Sequence, residues 1–327
     1  MTAATSADDT TQPATARTEH RGDPPVPAAE PISRPGSGQP VTAITPAGQV
    51  MPVINRARAP LVRLLRSEVT WIFRRPRTWI ALGMLALVPV VIAIAIKVSG
   101  GPRGNRGAAL MTDLVGNGLV LPVAALTLTL ALLLPLVGAM WAADAIAGEA
   151  AAGTLRGLLI APVSRFRVLG VKAFGVATAI LAACVLIALV GLVAGLLLVG
   201  SQGMVTLSGT TLSFGAALGR VAIATLWVAF QVWAVAAVAL AVSACTEHPL
   251  VVMAATVSGA IVFGVLSSIP ALDWLQPYLL TNQWTALADV LRDPMPTAAL
   301  WHGIAEAACY MAIGLSLTLA RMTTKDG

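Results

Sequence analysis

Apolar residues along this chain fall into runs of 20 or more, separated by short polar stretches, and that pattern predicts a bundle of membrane-crossing helices. Six such runs stand out, at about 79–98, 119–142, 173–200, 218–245, 250–269 and 299–320. Pro122 and Pro135 predict kinks in the second run, because proline removes a backbone donor and crowds the preceding turn. The third and fourth runs exceed the thickness of a bilayer, so they must tilt or project beyond it. Before the first run, residues 60–75 read PLVRLLRSEVTWIFRR. Leu61, Leu64, Leu65, Val69, Ile72 and Phe73 recur at helical spacing, with Arg63, Arg66, Ser67, Thr70 and Arg74 on the other face. This is an amphipathic helix suited to a headgroup layer, either as a plain anchor or as a helix that also meets a partner.

Residues 1–55 have no such periodicity. They hold nine of the 21 prolines and are otherwise rich in Ala, Thr, Gly and Ser, a composition that predicts a disordered tail. No apolar stretch near the N-terminus predicts a cleaved signal. The expected organisation is therefore a tail (1–55), one transmembrane domain (56–322) and a short C-terminal tail (323–327).

Composition agrees with the pattern. The 327 residues are 57% hydrophobic and 11% charged, with mean hydropathy +0.82, whereas a soluble domain carries about a quarter charged residues. The formal charge of +6 predicts no nucleic-acid partner, because most Lys and Arg flank the apolar runs and act as topology determinants. Arg56, Arg58, Arg63, Arg66, Arg74, Arg75, Arg77, Arg156, Arg165, Arg167, Lys172, Arg321 and Lys325 fall on one set of connections. Only Lys97, Arg103, Arg106, Arg220 and Arg292 fall on the other. That asymmetry predicts a plasma-membrane protein with both termini in the cytoplasm. Trp79 and Trp141 mark the inner interface, and Trp274, Trp284 and Trp301 the outer one. Cys184, Cys245 and Cys309 lie in or beside apolar runs without C-x-x-C spacing, which predicts buried hydrophobes and neither disulfides nor a metal site.

The one long connection on the basic side, residues 143–175, is composed like structure. Ala143–Leu159 reads as a helix, with Asp144 and Glu149 early and Arg156 late, matching the helix dipole. Gly153 and Gly157 limit its stability, Pro162 stops it, and Ser164 is placed to cap a second helix leading into the third span. Glu149, Gly153, Thr154, Leu155, Arg156, then Leu158, Leu159, Pro162, Val163, Ser164 and Arg165 together form E-x-x-x-G-T-L-R followed by L-L-x-x-P-V-S-R.

This motif resembles the ABC-2 type permeases, the six-helix membrane subunits of ATP-binding-cassette exporters. The likeness covers roughly residues 60–322 and leaves out the tail. It implies an all-α membrane protein with a six-helix bundle. It also implies that 60–75 is a connecting helix and 143–159 a coupling helix seated on an ATP-binding subunit. Glu149, Gly153, Thr154, Leu155, Arg156, Pro162 and Arg165 would then transmit its motion. The resemblance implies a second permease copy as a further partner, with the membrane lipid around both. The chain has no G-x-x-x-x-G-K-[ST] loop, so no cofactor is expected on it, and ATP and Mg belong to the partner. Glu149-Ala150-Ala151 also imitates the E-A-A-x-x-x-G loop of importer permeases, but the glycine comes two positions early and the loop follows span two.

Pro270–Ala298 predicts short amphipathic helices broken by Pro270, Pro277, Pro294 and Pro296, either capping a pathway or forming an anchored surface loop. Asp289, Arg292 and Asp293 are spaced for local pairing, and His302 and Glu306 for an interfacial hydrogen bond or a functional pair. Gln231, in the fourth span, suits a helix contact or the pathway, and Gly191-x-x-x-Gly195 a close helix contact. Gln231, Trp284, His302 and Glu306 are thus the candidate pathway or gate residues. A secondary transporter or channel is the alternative, disfavoured because the spans lack central charges and an inverted repeat. An intramembrane enzyme would need a catalytic constellation that the sequence does not offer.

Overall fold

A computed structural model describes residues 61–99, 117–153, 164–200 and 204–324. The tail (1–55), Arg103, Arg106, Thr154, Leu155, Arg156, Pro162 and Lys325 lie outside the described residues.

The amphipathic helix forms as α1, Leu61–Arg74, and α2 follows after one residue as Pro76–Ser99. Proline is favoured at a first helical position because its missing N–H would have no intrahelical acceptor. The elbow also satisfies the last carbonyls of α1. Thr78 Oγ1 donates to the Ile72 carbonyl at 2.8 Å and Trp79 Nε1 to that of Phe73 at 2.8 Å.

The second apolar run is broken, as α3 (Leu121–Leu130) and α4 (Leu133–Ala145), bent by 58°. Pro135 accounts for the break, because it offers no N–H to Ala131 and crowds that carbonyl. Pro122 makes no kink; it stands in the first turn of α3 and starts it.

The third run is longer at its basic end than its apolar residues suggest. It runs as α6 from Arg165 to Ala194 and ends in a π-turn, Gly195–Val199. A two-stranded hairpin follows, β1 (Met204–Val205) against β2 (Thr211–Leu212), with Met204 opposite Leu212. The remaining spans are α7 (Phe214–Cys245), α8 (Pro249–Ser267) and α9 (Ala298–Thr324). Between α8 and α9, 3₁₀ turns at Pro270–Leu272, Gln276–Tyr278 and Asn282–Leu291 form the expected short helices.

Among the described residues, five helices are long and apolar enough to cross a membrane, and the bent α3–α4 pair makes a sixth if it counts as one span. Helix α7 is the hub, with 67% of its apolar window buried against 11% for α8. Small residues set its contact with α9. A Cβ on Gly314 would lie 2.6 Å from the Ala237 backbone, and one on Gly303 2.8 Å from the Trp227 ring. At such spacing, dispersion between closely approaching backbones supplies the attraction that water would supply elsewhere. Gly191 and Gly195 do the same for α6. Their Cβ atoms would meet Pro122 Cα at 2.9 Å and the Gly118 carbonyl oxygen at 2.0 Å, so the predicted close contact is made with the start of α3.

Candidate coupling site

The structured connection does not form the single helix Ala143–Leu159. Helix α4 ends at Ala145, Ile146 leaves helical geometry, and a five-residue helix α5, Ala147–Ala151, follows. Ser243 of α7 stabilises this break. Its hydroxyl accepts from Ala147 N at 2.9 Å and is 3.4 Å from the Ala143 carbonyl. Gly153 then closes α5 in the left-handed region, φ +70°, with its N–H donating to the Ala150 carbonyl at 3.0 Å. A side chain there would be strained, which explains why glycine stands four residues after Glu149. Ser164 occupies the N-cap position of α6, but it caps with its backbone carbonyl and not with its hydroxyl.

Three buried ionic side chains converge beside α5. Lys172 Nζ, on α6, lies 3.0 Å from both carboxylate oxygens of Glu68 on α1, and it also donates to Glu149 Oε1. Gly175 admits this approach, since a Cβ there would come within 2.7 Å of Glu68 Cγ. Burial pushes the Glu68 carboxyl above its ordinary value, while Lys172 opposes the shift. A second cluster adjoins the first. Asp144 forms ion pairs with Arg75 at 3.2 Å and Arg77 at 2.5 Å, both at the α1–α2 elbow. The Arg75 guanidinium, lowered by burial and held up by Asp144, stacks 3.4 Å from the Trp71 ring, with Lys172 5.0 Å from the same ring. Arg165, at the start of α6, donates to the Met322 carbonyl near the end of α9.

Glu149, Gly153 and Arg165 are thereby placed in one region, tied to α1, α2, α4, α6, α7 and α9. Glu68, Trp71 and the pairing role of Lys172 were missed by the sequence reading. The available signal was Glu68 itself, the one acid in a cationic helix flanked by seven arginines between Arg56 and Arg77.

The far-end candidates do not form one site. Gln231 is fully buried and donates to the Gly303 carbonyl at 3.0 Å, beside Trp227 donating to Leu300 at 3.1 Å, so it makes the helix contact rather than facing open space within this chain. His302 is exposed and forms no hydrogen bond with Glu306, whose two carboxylate oxygens are enclosed without a hydrogen-bond partner among the described residues. Trp284 packs against Leu280 and Ala307. Asp289 pairs with Arg292 at 3.4 Å as expected, but Asp293 leaves that helix face and pairs with Arg220 at 3.4 Å. Arg220 also donates to the Val290 and Arg292 carbonyls at 3.1 and 2.9 Å, so it fastens the last 3₁₀ turn to α7.

Buried charge clusters and apolar spans describe a membrane machine without naming its kind. The family described as ABC-2 family transporter protein matches residues 7–306. The chain belongs to that family. The match reaches into the tail, further upstream than the motif-based resemblance, which began near residue 60. No curated protein matches the chain. It is thus a multi-pass membrane component of an ABC-2 transporter system.

Proposed function

We propose that this ABC-2 chain is the permease subunit of an exporter, with six spans, both termini cytoplasmic and the basic end facing a separate ATP-binding subunit. Two copies, identical or related, line the pathway in the plasma membrane, and ATP and Mg are held by the partner. The cargo is hydrophobic or amphipathic, in keeping with spans that carry almost no central charge. The observation that supports this reading best is the buried Glu68–Lys172–Glu149 cluster. It fixes α1, α5 and the base of α6 to one another, so a push on the 146–164 connection moves the connecting helix and the spans together. Glu149, Gly153, Thr154, Leu155, Arg156, Pro162 and Arg165 act in that transmission, and Trp284, His302 and Glu306 belong to the exit end.

Efflux from cells expressing the chain with its ATPase tests the reading. Charge reversal at Glu149 or Arg156 should abolish ATP-driven efflux while the protein still reaches the membrane. Full transport by this chain without any ATPase would contradict it.

A further inference from the structure

Helix α2 has a packed face and an open one. Leu82, Leu85 and Ala93 are buried, while Ile80, Met84, Leu87, Val91 and Ile94 are exposed and recur every three or four residues. That spacing sets the exposed residues above one another as a single apolar ridge. Arg77 is exposed too, and it continues the ridge at its start, three residues before Ile80. Arg74, the last residue of α1, is exposed at the same elbow. Between the cations and the ridge stands Trp79, exposed, with its indole Nε1 fixed on the Phe73 carbonyl. Tryptophan in that position marks the headgroup level of a membrane.

The elbow holds more cation than its own acids neutralise. Arg75 and Arg77 share the one carboxylate of Asp144, and Arg74 pairs with no acid among the described residues. Glu68, the only acid of α1, is taken by Lys172. An apolar helix laid along α2 would cover the ridge and leave this excess charge unanswered. An amphiphile with an anion at the head of a hydrocarbon chain answers both, in the order in which they occur. Guanidinium forks match phosphate oxygens bidentately, and every cation between residues 60 and 77 is arginine.

We propose that the α1–α2 elbow binds an anionic glycerophospholipid. Its phosphate sits between Arg74 and Arg77, and one acyl chain follows the ridge from Ile80 towards Val91. That stretch rises about 16 Å, which matches one leaflet of a hydrocarbon core about 30 Å thick. A zwitterionic headgroup would bring its own ammonium to the two guanidiniums, so the site selects net-negative lipid. Binding is a property of this chain in its membrane and does not depend on the exporter reading.

Photolabelling of the full chain in phosphatidylcholine nanodiscs tests it. Phosphatidylglycerol and phosphatidylcholine probes carry the same diazirine midway along one acyl chain. The phosphatidylglycerol probe should label Met84 and Leu87 well above the phosphatidylcholine probe. Arg74→Gln should cut that preference about fivefold, the effect of one cation near the surface, and Arg74→Gln with Arg77→Gln should abolish it. Arg74 makes no ion pair among the described residues, so its replacement leaves the packing of the elbow unchanged. Arg63→Gln, at the other end of α1, should leave the preference intact. Equal labelling by the two probes, an equal loss with Arg63→Gln, or a ridge labelled by neither probe because a second copy covers it would each overturn the proposal.

Discussion

Lys172 Nζ lies 3.0 Å from both carboxylate oxygens of Glu68, although 104 residues of chain separate the two. The ammonium also serves Glu149, so one cation holds two buried acids from two different elements. Breaking a buried ion pair by deleting one partner costs about 3–5 kcal/mol, because the other charge stays buried alone. Lys172→Met should therefore lower the melting temperature in detergent markedly. Replacing Glu68, Glu149 and Lys172 together by Leu should restore most of it, since the penalty is for unpaired charge and not for lost charge. A Lys172→Met protein as stable as wild type would show that the cluster does not hold these helices.

The buried Glu68 carboxyl gives that cluster a pH signature. Its folded-state pKa lies above its ordinary value of 4.5, chiefly through burial. The folded protein consequently binds a proton more readily than the unfolded chain. This contribution to stability is complete below 4.5 and is lost as the pH rises through the raised value. The stability of wild type relative to Glu68→Gln should grow on acidification. Thermal unfolding of both proteins across mildly acidic pH reads the difference, and a difference that shrinks on acidification would mean that Lys172 outweighs burial.

Gly153 terminates α5 at φ +70°. An L-residue in that conformation costs roughly 1–2 kcal/mol, so Gly153→Ala should fray α5, and Gly153→Asn should do so less. Hydrogen exchange of the amides at 150–153 measures this directly. Equal protection in all three proteins would argue that the left-handed turn is unimportant to α5.

At the far end, Arg220 joins α7 to Asp293 and to the Val290 and Arg292 carbonyls. Its removal deletes charge-assisted bonds to three acceptors, each contributing about 1.5–3 kcal/mol. Arg220→Ala should accelerate hydrogen exchange in residues 204–212 and 286–293 while leaving α1 and α5 unchanged. Unaltered exchange in both segments would exclude Arg220 as the latch.

Much of this architecture is legible in the sequence because a bilayer leaves few choices. Long apolar runs must be helices, and Gly191 and Gly195 had to meet something close, which proved to be Pro122 and Gly118. Glycine spacing marks a contact without naming the other side. The motif around Glu149 was visible, but its physical meaning depended on Lys172 and Glu68, which only folding brings together. Charge counting assigned Lys172 to topology, and helix-dipole reasoning assigned Asp144 to a helix start. Both are in fact buried pairing residues. Propensity likewise favoured one helix over 143–159, whereas the hydroxyl of Ser243, nearly 100 residues away, stabilises a break at Ile146. His302 and Glu306 have the spacing of a pair, yet His302 is exposed while the Glu306 carboxylate is enclosed apart from it.

The most direct test of the coupling account is ATP hydrolysis by the complex of the tagged chain with its ATPase, purified into nanodiscs. Four forms are compared: wild type, Lys172→Glu, Glu149→Lys and the double exchange. The account predicts Mg-dependent hydrolysis that responds to the permease, strongly reduced in each single variant. The double exchange rebuilds the 149–172 pair with its charges swapped but sets a carboxylate against Glu68, so it should recover only part of the activity, more than either single variant. Equal hydrolysis in all four forms, or a permease that transports with no ATPase present, would contradict it.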